Sequence, residues 1–544
     1  MEKIYSGALA LALCVILSAC FSAWEGDTTL TINVGSVNAT GARALEWPPT
    51  DANGFLSGLE HRITVTGPSG TLSRTLKKGE TRAVFAIAAG SWDISVEAWY
   101  DDVLFGSGTA NAEVKARQSN PVSIAMEQSD AIFYTVSGRD EWDLARAGIA
   151  NGGNNKKYVI IITRDFEVPG IATSDYTFGP AKFINVTITG NHTLSLNNTG
   201  SLLRIDADQT VVIKDTSLKG ITNNIDSLVY LGGGSFTMQG NASVHENVIA
   251  APGTDGGGVI VGVNGIFTMQ DNASVHGNEA PGYGGGVHIS GITGGSNTGG
   301  IFIMKDNASV SSNFTTTAAG GGGGVMITDN GAFTMENGTV SDNTAAGNFG
   351  GGGVYVTGSG QFIMYNGTIS GNKATHTGGV GGGGISARSG GTFVIKNGTV
   401  SGNKAATSGG GMFINYGFSN PIAKTCIMEG GTVSGNEADN GGGVYVTETG
   451  NTFTMTGGTI SKNTATNGGG IYVLNSNFRI VNGTVYGNSA NAGSDSNNAS
   501  SGAALVHNGG YSQRGYFTGT TWTNRGSLTT TNNTIWVVNG ELQP

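Results

Sequence analysis

Charged side chains are scarce in this chain of 544 residues, which carries 28 lysines and arginines against 38 aspartates and glutamates. The basic residues form no cluster, so the sequence lacks the positive patch on which nucleic-acid binding depends and predicts no nucleic-acid partner. Proline is also rare, with 10 residues, and the 93 glycines follow no Gly-X-Y period, which excludes collagen. The chain is 38% hydrophobic, enough for a sizeable core.

Cysteine and long apolar runs are also in short supply. The three cysteines, Cys14, Cys20 and Cys426, are too few and too scattered to make a disulfide framework. Cys14 lies in an apolar run, residues 4–17, that is short for a bilayer span and precedes small residues, as in an export signal. No comparable run follows Trp24, so we expect a chain tethered at one end rather than one that spans a membrane.

The sequence Leu17-Ser18-Ala19-Cys20 resembles the lipobox of bacterial lipoproteins. The resemblance implies cleavage before Cys20 and a lipid on Cys20, with residues 1–19 as signal peptide and 20–27 as tether. The alternative is an ordinary signal peptide, since only Lys3 makes its start basic. We expect a lipid-anchored protein of the bacterial cell envelope, in the outer membrane or at the cell surface.

Two segments precede the repeats. Residues 28–128 alternate short strands with Gly, Pro, Asp and Asn turns, which predicts a β-sandwich spacer that resembles transthyretin-like or immunoglobulin-like modules. Residues 129–155 predict a linker and one helix that caps the next domain, with Ser137 and Asp140 as a capping box and Gly152-Gly153 as its end. The predicted apolar face of the helix consists of Trp142, Leu144, Ala145 and Ile149.

A repeat begins near residue 228, for example GGGVYVTGSGQFIMYNGTISGNKA at 351–374, and recurs about nine times. Each copy has a glycine triplet followed by two alternating aliphatic residues, then Phe-x-Met, then an asparagine three residues after Val or Ile. These asparagines are 25 to 35 residues apart. They are Asn247, Asn278, Asn313, Asn343, Asn372, Asn403, Asn436, Asn463 and Asn488.

A repeat with three short strands and no helix cannot bury its apolar side alone, so its copies must stack. Three strands per turn, each paired with its counterpart in the next copy, predict a right-handed parallel β-helix. We expect about twelve coils over residues 156–544, including a C-terminal cap. Phenylalanine, methionine and valine would form inward ladders, in which Cys426 replaces one phenylalanine.

The glycine pairs and corner asparagines over residues 228–510 resemble the repeat of the polymorphic outer membrane proteins. The chain departs from that repeat, since Gly stands where the family has Ala, and Val/Ile-Ser-Gly-Asn replaces Phe-x-x-Asn. The family consists of adhesins and autotransporters. The resemblance therefore implies surface binding, with a host or matrix polysaccharide or protein as partner.

Parallel β-helices of the pectin-lyase type also include enzymes, which need clustered carboxylates, often with Ca²⁺. The repeats hold only isolated acids, so we predict no catalytic residue, cofactor or metal site; the acids are Asp271, Asp306, Glu336, Asp342 and Glu429. His245 and His276 should lie about 5 Å apart in adjacent coils, where solvated imidazoles are expected rather than a metal site. A polysaccharide lyase or hydrolase is the alternative function, and a structural scaffold is the third.

The residues between the inward aliphatic pairs should point outward and form an aromatic strip. We predict a binding face from this strip and from an insertion at 415–424; its residues are Tyr355, Phe413, Tyr445, Tyr472, Tyr416 and Phe418. Coverage of the strip by loops, or a purely stabilising stack of rings, is the alternative.

Overall fold

A computed structural model of the protein describes residues 28–34, 59–77, 79–100, 103–251, 255–291, 299–378, 381–415, 425–488 and 493–544. The predicted lipid site Cys20 and the predicted binding residues Tyr416 and Phe418 lie outside the described residues. The chain divides into two compact units, Met1–Thr135 and Val136–Pro544.

The first unit contains two β-sheets. In sheet order, the three-stranded sheet is Arg82–Ala86, Thr29–Val34 and Ser119–Ile124. The five-stranded sheet is Gly70–Leu76, Glu60–Gly67, Gly90–Tyr100, Val103–Val114 and Glu127–Gln128. The strand Ile132–Val136 follows them in the chain.

Alternating side chains from both sheets fill one core in this unit. Leu30 and Ile32 come from the three-stranded sheet, and Ile63 and Trp92 come from the five-stranded sheet. The Trp92 ring is completely buried, and its Nε1 donates to the Ala88 carbonyl oxygen at 3.0 Å. Two sheets around a shared core form the sandwich architecture expected from the alternating pattern.

Helix α1, Arg139–Asn151, lies at the start of the second unit, and the described residues are otherwise almost entirely β-strands and turns. Trp142, Ala145 and Ile149 are buried as predicted, but Leu144 is 71% exposed. The Trp142 ring lies 6.5 Å from the ring of Phe166, which belongs to the first strand of a β-helix column. The helix therefore packs on the first coil through its tryptophan side and not through Leu144.

The predicted capping box is displaced by one residue. The helix begins after Gly138, which provides no side-chain cap. The Ser137 hydroxyl donates instead to Glu141 Oε2 at 3.2 Å, and the Ser137 backbone N–H donates to the same oxygen at 3.3 Å. Glu141, rather than Asp140, is thus the acidic partner of Ser137.

The second unit is a right-handed parallel β-helix of about 11 turns, close to the twelve coils expected. Its strands stack in columns, and the first column carries the aliphatic pair that follows each glycine triplet. It consists of Leu203–Asp206, Val229–Gly232, Val259–Val261, Val287–Ile289, Val325–Ile327, Val354–Val356, Ile385–Arg388, Met412–Asn415 and Val444–Thr447.

The second column carries Phe-x-Met and belongs to the same sheet as the first column. It consists of Lys157–Ile162, Ile184–Thr189, Gln209–Lys214, Ser235–Gln239, Ile266–Met269, Ile301–Met304, Ala332–Met335, Gln361–Met364, Thr392–Ile395, Thr425–Met428 and Thr452–Met455. The long strands Ile471–Ile480 and Leu505–Thr518 continue both columns, and Thr521–Ser527 pairs antiparallel with the latter.

The third column precedes the corner asparagines. It consists of Phe166–Val168, Thr193–Leu196, Ser217–Lys219, Ser243–His245, Ser274–His276, Ser309–Ser311, Thr339–Ser341, Thr368–Ser370, Thr399–Ser401, Thr432–Ser434, Thr459–Ser461 and Gly483–Val485. The antiparallel strands Ile535–Val538 and Glu541–Leu542 complete its sheet.

A fourth column of very short strands follows the corner asparagines and was not predicted from the sequence. It consists of Glu279–Ala280, Phe314–Thr315, Thr344–Ala345, Lys373–Ala374, Lys404–Ala405, Glu437–Asn440, Thr464–Asn467 and Asn498–Ser501. The 3₁₀-helix Gly493–Asp495 precedes the last of these strands. Two-residue strands are too short for an alternating pattern to identify them.

Like residues stack on like residues inside the β-helix, as predicted. The rings of Phe267, Phe302, Phe333 and Phe362 are nearly parallel, with centroids 4.6 to 5.0 Å apart. Cys426 is buried and lies in register with Phe453, so it is the smaller core residue that the repeat predicted. The seven methionines of the Phe-x-Met positions are also buried: Met238, Met269, Met304, Met335, Met364, Met428 and Met455.

The corner asparagines form a continuous hydrogen-bonded ladder. From Asn278 onward, each Nδ2 donates to Oδ1 of the next asparagine at 2.9 to 3.1 Å. The ladder ends at Asn497, not at the predicted Asn488, because the chain makes a longer excursion after Val485 before it returns to the corner. Asn224 extends the ladder at the other end by donating to Asn247 at 2.8 Å.

The first and third glycines of a triplet are required for different reasons. Gly351 has φ +68°, and a Cβ there would lie 2.7 Å from the Val354 carbonyl oxygen. Gly353 has no unusual φ, but its Cβ would lie 2.8 Å from the Gly384 oxygen in the next coil and 3.0 Å from Asn372 Nδ2. The first glycine therefore turns the chain, and the third allows close contact between coils and with the asparagine ladder.

Candidate binding grooves

The predicted aromatic face is largely covered. Tyr355, Phe413 and Tyr445 are 4%, 0% and 7% exposed, so the expectation that they form an open strip is wrong. Tyr472 is half-buried. The glycine triplets fold back over this ladder; for example, a Cβ at Gly409 would lie 2.9 Å from Phe413 Cβ. Their role as a binding face stays a prediction, and among its described residues only Tyr472 offers a partly open ring.

Tyr355 is covered by an aromatic cluster that the repeat pattern does not contain. The rings of Tyr283 and Phe349 lie 6.4 and 6.0 Å from the Tyr355 ring, and the Arg388 guanidinium lies 4.9 Å from the Phe349 centroid. Burial raises the pKa of Tyr355. Farther along the ladder the rings of Phe413, Tyr445 and Tyr472 stack 5.5 and 5.2 Å apart, which matches the alternative of a stabilising stack.

Histidines occupy the outer side of several coils. The rings of His245 and His276 stack with centroids 5.0 Å apart, at the spacing expected from the register. Burial lowers the pKa of both, and the charge of His276 lowers that of His245 further. His288 Nδ1 lies 3.6 Å from Asp255 Oδ2, while burial lowers its pKa. The described residues include no group of three or more His, Cys, Asp or Glu side chains that could hold a metal ion.

The isolated acids of the repeats have structural partners. Asp271 accepts a hydrogen bond from the Gly240 N–H at 2.9 Å, and Asp306 accepts one from the Asp271 N–H at 3.1 Å. Glu336 and Glu429 pair with lysines of the preceding coil, Lys305 at 3.7 Å and Lys396 at 3.1 Å. These carboxylates link neighbouring coils.

An open groove of about 520 Å³ lies at the C-terminal end of the β-helix. The antiparallel strands Leu505–Thr518 and Thr521–Ser527 form one wall, and Thr456, Val481 and Asn539 form the other. The lining side chains are Thr456, Val481, Tyr516, Phe517, Arg525 and Asn539. We call this the C-terminal groove.

The C-terminal groove combines an aromatic ring with a fixed positive charge. The Arg525 guanidinium lies 4.9 Å from the centroid of the Tyr516 ring and forms an ion pair with Glu541. Glu541 also accepts from Arg514 at 2.8 Å. The hydrogen bonds from Arg525 and Arg514 lower the pKa of the Glu541 carboxyl, so Glu541 is ionised and holds both guanidinium groups.

More aromatic side chains line the same pair of strands. Phe517 and Trp522 form a cross-strand pair with ring centroids 5.1 Å apart, and Trp522 Nε1 donates to Gln513 at 3.0 Å. The Arg479 guanidinium lies 5.3 and 5.2 Å from the rings of Tyr511 and Trp522. Cation–π contacts and the hydrogen bond fix the orientation of these rings.

Sequence reasoning missed the C-terminal groove because it lies where the repeat stops. The segment YFTGTTWTNR at 516–525 lies in the region for which the sequence predicts only a C-terminal cap. Its density of aromatic residues next to arginine was a usable signal, since such residues are enriched at binding sites.

No protein-family model, no curated protein and no solved structure matches this chain. The resemblance to the polymorphic outer membrane proteins therefore stays a prediction. Within the described residues, no helix is long and apolar enough to cross a bilayer.

Proposed function

We propose that the protein is a bacterial surface lipoprotein whose β-helix binds a carbohydrate or protein ligand without catalysing a reaction. The observation that carries this proposal is the C-terminal groove, where Tyr516, Phe517 and Arg525 meet around about 520 Å³. Its volume lies in the range of ligand-binding clefts. The β-helix supplies the rigid support that holds these side chains in place.

The chemistry of the groove suits sugars and planar acidic groups. An aromatic face such as that of Tyr516 offers apolar contact area, and its hydroxyl offers a hydrogen bond. Arg525 presents several N–H donors in a planar arrangement that matches carboxylate, sulfate or vicinal hydroxyl groups. Glu541 keeps Arg525 in place beside the ring.

A polysaccharide lyase or hydrolase is the alternative function. Such an enzyme would need converging acids, whereas Asp271, Asp306, Glu336 and Glu429 bridge adjacent coils. Those contacts support a structural role for the acids and favour the binding function.

The test uses the full-length protein in detergent and a panel of neutral and acidic polysaccharides, with and without Ca²⁺. We expect binding without shortening of any polymer. Tyr516→Ala and Arg525→Gln should each weaken binding about tenfold, by analogy with other aromatic and arginine hot spots. Tyr365→Ala is the matched control, because Tyr365 is 48% exposed and lies outside the C-terminal groove. Shortening of a polymer would establish the enzyme alternative instead.

The anchor is tested separately by Cys20→Ser. The wild-type protein should lose residues 1–19 and carry a covalent lipid on Cys20, whereas the variant should carry no lipid, as determined by mass spectrometry. A wild-type protein without a lipid on Cys20 would refute lipidation at this residue and leave the binding proposal unaffected.

A further inference from the structure

Phe183 is the most exposed aromatic residue among the large hydrophobic side chains that the structure describes, with 60% of its surface open. Its backbone is also unusual, because φ is +55°. L-residues enter this left-handed region at a steric cost, and for a bulky side chain the conformation is a true outlier. Phe183 thus gains little stability from burial, and its backbone conformation is strained. A phenylalanine at this position therefore calls for a functional explanation.

The register of the coils shows how unusual a phenylalanine is at this position. Phe183 lies one residue before a second-column strand, and the register of these strands places equivalent residues of successive coils in one column. The residues in the column of Phe183 are Asp208, Gly233 and Asn264. The other three also have positive φ, at 62°, 110° and 60°. Asp, Gly and Asn are the residues that tolerate this conformation best, so phenylalanine is the exception in its own column.

Hydrogen bonds on both sides hold the backbone of Phe183. Its N–H donates to the Asp208 carbonyl oxygen at 2.7 Å. The preceding Lys182 N–H donates to Asn154 Oδ1 at 2.9 Å, and the Lys182 oxygen accepts from the Asn155 N–H at 3.1 Å. The turn is thus fixed by main-chain contacts that do not require the phenylalanine ring.

Phe183 lines a groove of about 440 Å³ at the N-terminal end of the β-helix, which we call the Phe183 groove. The side chains of Asn185, Asp208 and Asn264 are exposed beside the ring, and Ile266 is 40% exposed. The Asp208 carboxylate lies 3.8 Å from Lys182 Nζ, so the negative charge at the groove is paired with a lysine next to it.

We propose that the Phe183 groove is a second carbohydrate site, in which Phe183 stacks on the apolar face of an uncharged pyranose ring. Asp208, Asn185 and Asn264 provide carboxylate and amide groups for the hydroxyl groups around the ring. The ion pair of Asp208 with Lys182 leaves no surplus charge to select an acidic sugar. This site goes beyond the proposed function, since it stands on its own groove and does not depend on Arg525 or Tyr516.

The decisive variant is Phe183→Asn, which introduces a residue that the same column already contains. Asparagine relieves the backbone strain, so the thermal unfolding midpoint should rise by about 1–3 °C. Binding of a neutral glucan, mannan or galactan, measured by calorimetry on the full-length protein, should fall at least tenfold for whichever of these polymers the wild type binds. A purely structural phenylalanine would instead lower the midpoint when replaced.

Two further variants complete the test. Phe183→Tyr should keep the binding, because the aromatic ring remains, and Asp208→Asn should reduce it by a smaller factor. Tyr365→Ala, outside both grooves, should change neither binding nor stability.

Each other outcome overturns the proposal. These outcomes are unchanged binding in Phe183→Asn, a lower midpoint with unchanged binding, binding of acidic polymers or proteins alone, and no binding of the neutral polymers by the wild type.

Loss of binding in Tyr516→Ala but not in Phe183→Asn would overturn this site while supporting the proposed function. Loss in Phe183→Asn alone would support this site and remove the C-terminal groove from the proposed function.

Discussion

The middle coils and the terminal coils of the β-helix share the same columns of strands but differ in how strictly their residues repeat. In the middle coils, phenylalanine stacks on phenylalanine and asparagine bonds to asparagine with almost constant distances. In the terminal coils, Phe183 stands where the neighbouring coils have Asp, Gly or Asn, and Tyr516 and Arg525 lie in strands that no longer follow the repeat. The difference teaches that repetition in this fold provides stability, and that the candidate binding side chains lie where repetition fails.

The largest effect should follow from opening the phenylalanine ladder in the middle. Phe302 is completely buried and stacks 4.8 Å from Phe267 and 4.6 Å from Phe333. Phe302→Ala should lower the free energy of unfolding by about 3–5 kcal/mol, because the neighbouring coils cannot collapse into the cavity. Denaturant unfolding followed by circular dichroism measures the loss, and a change below about 1 kcal/mol would show that the stacked core is loosely packed.

A somewhat smaller effect should follow from interrupting the asparagine ladder. Asn372 Oδ1 accepts hydrogen bonds from both the backbone N–H and Nδ2 of Asn343. Asn343 Nδ2 also donates to the Val310 carbonyl oxygen, so Asn372→Ala leaves chiefly the buried Asn343 backbone N–H without an acceptor and should lower the free energy of unfolding by about 1–3 kcal/mol. Asn488→Ala is the matched control, since Asn488 fits the sequence pattern but lies outside the ladder, and its loss of stability should be clearly smaller. Equal losses of stability in Asn372→Ala and Asn488→Ala would show that the asparagine ladder is not the main stabilising contact at the corner.

The histidines give an effect that depends on pH. Burial lowers the folded-state pKa of His245 and His276, so the unfolded chain binds more protons in the acidic range. Stability should therefore be complete above about pH 6.5, the ordinary value for imidazole, and fall as the pH drops from there towards 5. Later coils have Ser311 and Ser341 at these positions, so the double change His245→Ser and His276→Ser makes the early coils like the middle ones.

The pH test compares thermal midpoints of the wild type and the double variant between pH 7 and pH 5. The variant should lose less stability than the wild type over this range. Carboxylates with a lowered pKa, such as Glu246 and Glu541, become protonated only below about pH 4.5, so they do not affect the change in stability between pH 7 and pH 5. An unchanged slope would show that the stacked pair does not contribute, and His288 beside Asp255 would be the next residue to replace.

The smallest effect should come from the capping helix. Leu144 is 71% exposed, so Leu144→Gln should change the free energy of unfolding by less than about 0.5 kcal/mol. Trp142→Ala, on the buried side of the same helix, should cost about 3–5 kcal/mol. A large effect of Leu144→Gln would mean that the helix buries its other face in solution.

The repeat made much of this fold predictable. The spacing of glycine triplets, Phe-x-Met and asparagine defines one coil, and stacking follows because a single coil cannot bury its apolar side. The same pattern could not predict which outward-facing side chains of the β-helix are exposed to solvent. Whether Tyr355 is open depends on Tyr283 and Phe349, which lie between strands, and on Arg388, the last residue of the strand Ile385–Arg388. None of the three is a fixed residue of the repeat.

The candidate sites were harder to predict than the coils. Asn488 satisfies the local pattern, but the return of the chain at Asn497 decides which residue joins the ladder. Phe183 reads as an ordinary core residue in sequence, and only its backbone angle and its exposure distinguish it. The aromatic residues and Arg525 of the C-terminal groove are visible in the sequence, but local sequence does not show that Thr456 and Val481 of earlier coils line the same groove.

The asparagine ladder has a consequence for the length of the protein. Each rung bonds only to its neighbours, so a whole coil, such as the one between Asn343 and Asn372, could be lost or duplicated and every remaining rung would still find a partner. Adding or removing one coil changes the height of the stack by about 4.8 Å. The Phe183 groove and the C-terminal groove lie towards opposite ends of the stack, so the number of coils sets the distance between the two proposed binding sites.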